Sequence, residues 1–344
     1  MADGDEEEVQ GEEPPVVLDP VDLTEDLMTV SQVGKTVDGT GFAFFQLDCT
    51  GKQIGDINAL QHYKHLRQID MSNNLIKDLS PLASLGHVLK LNLAKNGIES
   101  LQPLLGLRHL LYLDVSGNAL TELPALPMPS LKRANFSGNK IVSCSSFKGH
   151  AKLQFLELGN NEIQDLEGVS GMPELQTLNL AQNKLSSIIG LDKVDGLLSL
   201  DLSQNQFDSL AGPFDILESL VALNMSQNKI DKAKKLENLV KLRKLKTLQV
   251  KQNPLEEEEG VNVRLEVLLF QKEVLEINGE PVTADERSDA RALKDKRIEE
   301  DMERIRQEEE ARLAAEEVKR QAEEEARIAA EAAAEAAEEA RLAA

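Results

Sequence analysis

The sequence predicts an α/β solenoid followed by a long α-helix. Three observations predict it. First, one phrase recurs along the middle of the chain. Leu66-x-x-Ile69-x-Met71-x-x-Asn74-x-Ile76 returns at 88–98, 110–120, 131–141, 153–163, 175–185, 197–207, 220–230 and 245–255. Second, the spacing stays between 21 and 25 residues, a period at which one structural unit stacks on the next. Third, residues 284–344 contain neither proline nor glycine and are mostly Ala, Glu, Arg and Lys, all strong helix formers.

Taken from the N-terminus, residues 1–26 carry 11 acids and no base. They have little to bury and are expected to form a disordered acidic arm. Leu23, Leu27 and Val30 follow Asp22 at helical spacing, which predicts a short helix over the open first coil. Phe44-x-x-Leu47-x-Cys49-x-x-Lys52-x-Ile54 fits the frame with lysine in the asparagine slot. It reads as a degenerate first coil, as terminal repeats often are.

Each full repeat opens with a short strand whose leucines point inward. The asparagine amide can satisfy backbone groups at the turn that leaves the strand. After the first repeat, Asp78-Leu79-Ser80-Pro81-Leu82-x-x-Leu85 predicts 3₁₀ turns on the outer side. The pattern resembles the short, twenty-two-residue class of leucine-rich repeats. Beyond Asn253-Pro254-Leu255, a helix near 261–269 and an apolar turn at 275–279 look like the C-terminal cap of that class. The solenoid with both caps is thus assigned to 27–282.

Thr283 and Glu286 form a capping box. It starts the charged, Ala-rich helix of 283–344, whose oppositely charged residues fall at i,i+4. Leu293, Ile298, Met302 and Ile305 form an apolar stripe, but beyond Leu313 the apolar positions are mostly Ala. A single charged helix and a weak coiled coil both fit.

Composition narrows the function. Aromatics are 3 % and Trp is absent, so the core is aliphatic. The net charge of -22 lies mainly in the two tails, and the solenoid segment is nearly neutral. Without a cationic stripe, nucleic-acid binding is not expected. No apolar run reaches the ~18 residues of a membrane span, and no basic, apolar leader opens the chain. Two cysteines, Cys49 and Cys144, four repeats apart, fit a reducing compartment. No phosphate loop, zinc motif or Cys-x-x-Cys pair is present, so neither enzyme activity nor a cofactor nor a small-molecule substrate is expected. Cys49 takes a core slot. His65, His87 and His109 precede three successive strands. Three stacked imidazoles could bind zinc, but a ladder of edge residues is the simpler reading.

The concave sheet face is the better candidate. One outward column runs Asp48, Asp70, Asn92, Asp114, Asn135, Glu157, Asn179, Asp201, Asn224. Its neighbour runs Gln46, Gln68, Lys90, Tyr112, Arg133, Phe155, Thr177, Ser199. Tyr112, Arg133 and Phe155 are adjacent, with Lys90 and Arg67 nearby. Aromatics and arginine are enriched in interface hot spots, so these five residues are assigned to partner binding. Toward the C-terminus a column of Gln182, Gln204, Gln227 and Gln252 makes the face amide-rich.

The segment before and around the first repeats carries a resemblance. Leu23-Thr24-Glu25-Asp26-Leu27-Met28, Gly34-Lys35-Thr36, Gly39, His65-Leu66-Arg67 and Asp78-Leu79-Ser80-Pro81-Leu82 resemble the leucine-rich repeat-containing protein 23 family. The resemblance covers roughly residues 20–283; the alanine-rich end of the last helix lies outside it. It implies a non-enzymatic structural subunit of the radial spoke in the axoneme of cilia and flagella. Such a subunit binds other spoke proteins in a large complex and helps pass force or regulatory signals to dynein arms. It implies a cytoskeletal place on the reducing, cytoplasmic side. A regulatory or scaffold subunit of a protein phosphatase or other soluble complex, and a dynein-associated leucine-rich-repeat light chain, remain as alternatives.

Overall fold

The computed structural model describes residues 19–36, 41–210 and 212–342. The acidic stretch 1–18 of the expected arm lies outside the described residues. The chain divides into two units, Met1–Val282 and Thr283–Ala344.

The first unit is organised by one sheet of 13 strands. β1 (Val21–Asp22) stands apart and pairs in parallel with β4 (Ile54–Asp56). β2 (Thr29–Lys35) is the sheet's edge and runs antiparallel to β3 (Phe42–Asp48). Parallel neighbours follow one per coil: β5 (Gln68–Asp70), β6 (Lys90–Asn92), β7 (Tyr112–Asp114), β8 (Arg133–Asn135), β9 (Phe155–Glu157), β10 (Thr177–Asn179), β11 (Ser199–Asp201), β12 (Ala222–Asn224) and β13 (Thr247–Gln249). A closing hairpin, β14 (Glu276–Ile277) and β15 (Glu280–Pro281), completes the sheet. The solenoid with a long C-terminal helix is therefore the fold, as the repeat phrase requires.

The reason is in the inward positions. Leu91, Leu113, Ala134, Leu156, Leu178, Leu200, Leu223 and Leu248 are centred in successive strands and no more than 2 % exposed. A fully buried leucine stabilises by about 1.5–3 kcal/mol, and every coil buries several. Cys49 and Cys144 are buried thiols among them. Burial raises both thiols, Cys144 to about 12 through its desolvation and then the charge of Asp165, which keeps them protonated and inert.

The asparagine slot performs a backbone role repeated coil after coil. The Asn183 amide donates to Leu180 O and to Leu158 O in the preceding coil, both at 3.0 Å, and its Oδ1 accepts from Ile163 N–H at 3.0 Å. Asn74, Asn96, Asn118, Asn139, Asn161, Asn205, Asn228 and Asn253 repeat the arrangement. Buried backbone groups that neither strand nor helix satisfies are thus paired. In the degenerate first coil, the Lys52 ammonium instead donates to Leu27 O and Thr29 Oγ1.

The outer side is built of 3₁₀ turns, as at Asn58–His62, Ser80–Ser84, Gln102–Leu104 and Phe214–Ile216. Between them the middle coils turn on glycine. Gly168 has φ +92°, and a Cβ there would stand 2.3 Å from Cys144 O and 2.5 Å from Phe147 O.

The N-terminal cap differs from expectation. The helix predicted over 22–30 is one 3₁₀ turn, Glu25–Leu27, followed by the edge strand β2. Pairing with β3 outweighs the weak helical spacing, and β-branched Thr29, Val30 and Val33 suit a strand. Order also reaches into the stretch read as the arm, because Val21–Asp22 pairs with β4 and Leu23 is buried.

At the C-terminal end, α1 (Val263–Phe270) begins at Asn262, whose side chain accepts from the Arg264 and Leu265 N–H groups. Gln271, buried at its end, donates to Leu239 O and Leu242 O. The second unit is α2 (Ala284–Leu342). Its start is the predicted capping box: Thr283 N–H donates to Glu286 Oε2 at 2.8 Å, and Glu286 N–H to Thr283 Oγ1 at 3.2 Å.

Candidate functional site

The strand register decides which outward residues meet. Lys90, Tyr112, Arg133 and Phe155 are Cα partners on β6 to β9. The Arg133 guanidinium lies over the Phe155 ring, 3.8 Å from its centre. The Tyr112 hydroxyl donates to Asp114 Oδ2 at 3.0 Å. Burial, then the Asp114 charge, pushes the Tyr112 phenol up to about 12. Three of the four side chains are thereby oriented or flanked before any partner arrives. Arg67 stands elsewhere. It sits one residue ahead of β5 and stacks on Phe45, 4.3 Å from the ring centre. Of the five assigned residues, the structure brings four into one column and leaves Arg67 in the next.

The neighbouring acidic column is not a free surface. Asp70 Oδ1 accepts from Ser72 N–H and Oγ–H, and its Oδ2 accepts from Asn92 Nδ2 at 2.9 Å. Asp114 repeats this with Ser116, Asn135 and Tyr112. Asp201 does so with Ser203 and Asn224. Each aspartate caps the turn after its own strand and is bridged to the asparagine of the next. These hydrogen bonds hold the Asp70 carboxyl below its usual range despite its partial burial. Glu157 interrupts the pattern, and burial raises it.

The glutamine column originates in the turns that leave the strands. Gln182, Gln204, Gln227 and Gln252 all have φ between 55° and 58°, as does Asn73 at 57°. They fill the left-handed residue just before each ladder asparagine. Gly117 and Gly138 fill it in other coils, the cheaper choice. Their arrangement belongs to turn geometry.

The histidines stack rather than converge. His65 and His87 lie 6.4 Å apart with ring planes 7° from parallel. Their in-plane nitrogens therefore do not aim at a common point. Among the described residues no three His, Cys, Asp or Glu side chains gather as a metal requires. No helix of the described chain is long and apolar enough to cross a membrane.

With this geometry in view, similarity to known proteins concerns the fold. Residues 151–193 match a family model described as Leucine Rich repeats (2 copies), and residues 106–122 one described as Leucine Rich repeat. No curated protein matches the chain in sequence. Among solved structures, the TLR13–ssRNA13 complex is 24 % identical, with a TM-score of 0.54, over 62 % of this chain and 33 % of that one. The internalin (inlF) from Listeria monocytogenes is 18 % identical, with a TM-score of 0.49, over 67 % and 79 %. The internalin C2 (inlC2) of the same organism is 24 % identical, with a TM-score of 0.46, over 53 % and 80 %.

By fold, this is a leucine-rich-repeat solenoid, an architecture that typically serves as a non-enzymatic scaffold for protein interaction.

Proposed function

We propose that the protein is a structural scaffold of the axoneme in cilia and flagella, a radial spoke component that binds other spoke proteins and performs no catalysis. The observation that carries the binding role is the column of Lys90, Tyr112, Arg133 and Phe155, in which aromatic and guanidinium groups are held ready on adjacent strands. A preformed surface loses little entropy on docking. The axonemal assignment is supported by the resemblance of the pre-repeat segment. A second contact element is α2, whose Ile298, Met302, Ile305, Leu313, Val318 and Ile328 are each at least 47 % exposed. In this reading the helix pairs with a neighbouring spoke protein.

Sequential detergent and salt extraction of cilia tests the placement. The protein should remain with the axoneme after detergent. Release with the membrane-plus-matrix fraction overturns the spoke assignment. The Tyr112→Ala/Phe155→Ala double variant should fold normally and bind its partner at least about tenfold more weakly, the loss expected of a hot spot. Unchanged retention of that variant removes the column from the interface.

A further inference from the structure

A second file runs beside that column, formed by the residue just ahead of each strand. Its backbone links coil to coil. Leu89 N–H donates to Arg67 O at 2.7 Å, Leu111 N–H to Leu89 O at 2.8 Å, and Lys132 N–H to Leu111 O at 3.0 Å. The same bonding continues through Gln154, Gln176, Leu198, Val221 and Lys246. Arg67 N–H donates in turn to Phe45 O at 2.8 Å, so the file reads aromatic; then cation, two aliphatics, cation; then two amides; then two aliphatics and a cation. Leu111 is 37 % exposed, while Arg67 and Lys132 are both exposed and form no ion pair among the described residues. In the second block Lys246 is already engaged, 3.6 Å from the Glu273 carboxylate and bonded to Glu273 O.

We propose that Arg67, Leu89, Leu111 and Lys132 seat an amphipathic helix of a partner protein, one whose two apolar residues are bracketed by two acids. This rests on the reading of the sheet as a partner-binding face and adds the partner's chemistry. Charge sets the acids. Two cations with no ion pair among the described residues bracket the two leucines, Arg67 with its guanidinium stacked on Phe45, and Lys90 and Arg133 stand in the adjoining column. In the acidic column of the same face, Asp70 and Asp114 have both oxygens occupied by turn and ladder hydrogen bonds.

Spacing sets the helix. Adjacent strands lie about 4.8 Å apart, so the four residues span about 14 Å. On a helix, positions i, i+3, i+7 and i+10 share a face and span about 15 Å. Alternate residues of an extended strand would cover about 20 Å in the same number of steps and lose register by the second cation. The half-buried Leu89 and the exposed Leu111 then meet the two apolar side chains, and Arg67 and Lys132 meet the acids.

The test uses the full chain and fluorescence anisotropy with a labelled synthetic Ala/Gln helix carrying Glu, Leu, Leu and Glu at i, i+3, i+7 and i+10. It should bind at least about tenfold more tightly than a scrambled peptide of the same composition or one with Lys in place of Glu. Lys132→Glu should weaken binding about tenfold, and a peptide with Lys at i+10 should restore it. Leu111→Ala should also weaken it, whereas Lys246→Glu should not. Equal binding of the scrambled peptide, no binding at all, or indifference to Lys132→Glu overturns the proposal. If the peptide fails while the Tyr112→Ala/Phe155→Ala variant still dissociates from the axoneme, the scaffold reading stands and this one falls. Peptide binding by a protein released with the ciliary matrix gives the converse.

Discussion

The solenoid and the C-terminal helix are both periodic, yet opposite forces hold them. In the solenoid, Asn183 reaches Leu158, 25 residues upstream, and each strand pairs with one about a repeat away. In α2 the ion pairs join neighbours: Arg304 with Asp301, Arg306 with Glu303 and Arg327 with Glu324 at i,i+3, and Lys296 with Glu300 at i,i+4. Such exposed pairs contribute only about 0.3–0.5 kcal/mol each. The lesson is that one period of about 22 residues builds a cooperative body, whereas a period of 3.6 builds a rod that yields locally.

The strongest way to break the comparison is Asn183→Leu. It leaves the buried Ile163 N–H unpaired and removes one of two donors from Leu158 O and from Leu180 O, which Asn161 and Asn205 still reach. It should cost about 4 kcal/mol, at about 1–3 kcal/mol for the unpaired group and about 0.5–1.5 kcal/mol for each bond lost. Urea unfolding followed by circular dichroism measures it, and an unshifted midpoint would refute the ladder's role. Ala314→Pro in α2 comes next. It should remove about 3 kcal/mol of local helix stability and lower the helical signal while leaving the solenoid's unfolding midpoint in place. A matching fall in that midpoint would show that the two units unfold together.

Gly168→Ala should destabilise the solenoid by about 2 kcal/mol, because the new Cβ meets two carbonyl oxygens at 2.3 and 2.5 Å on a backbone with positive φ. The same substitution at Gly171, where a Cβ would meet nothing within 4 Å, should cost less and so separates crowding from backbone strain. The smallest effect concerns pH. The Tyr112 phenol is raised from 10.0 to about 12. Its stabilising contribution is therefore fully present below about pH 10 and is lost as pH rises through about 12. Tyr112→Phe should flatten the alkaline fall in stability, and its absorbance titration near 295 nm should lose the late step.

Much of this was legible beforehand. The repeat phrase located the strands, the buried leucines and the ladder asparagines, and Thr283 with Glu286 marked the start of α2. Tyr112, Arg133 and Phe155 could be aligned by counting, because a constant register follows from a constant repeat. Other features were hidden. Thr29, Val30 and Val33 carried a strand signal that the spacing of Leu23, Leu27 and Val30 obscured. The file of Arg67, Leu89, Leu111 and Lys132 could have been found by tabulating the residue before each strand, since its pattern of charge is plain once the coils are stacked.

The sequence by itself determined the period, the aliphatic core and the place where the solenoid gives way to the helix. These follow from local rules: side chains alternate along a strand, and residues three or four apart meet on a helix. Tertiary structure alone decided which exposed groups are spoken for. Asp70 and Asp114 look like binding carboxylates in the text of the chain, but each is spent on a turn and on the next coil's asparagine. Arg67 is near the aromatic column by counting, but its guanidinium stacks on Phe45 in the neighbouring file. The reason is that a side chain's partners are set by strands roughly twenty residues away, and only the stacked coils bring them within hydrogen-bonding distance.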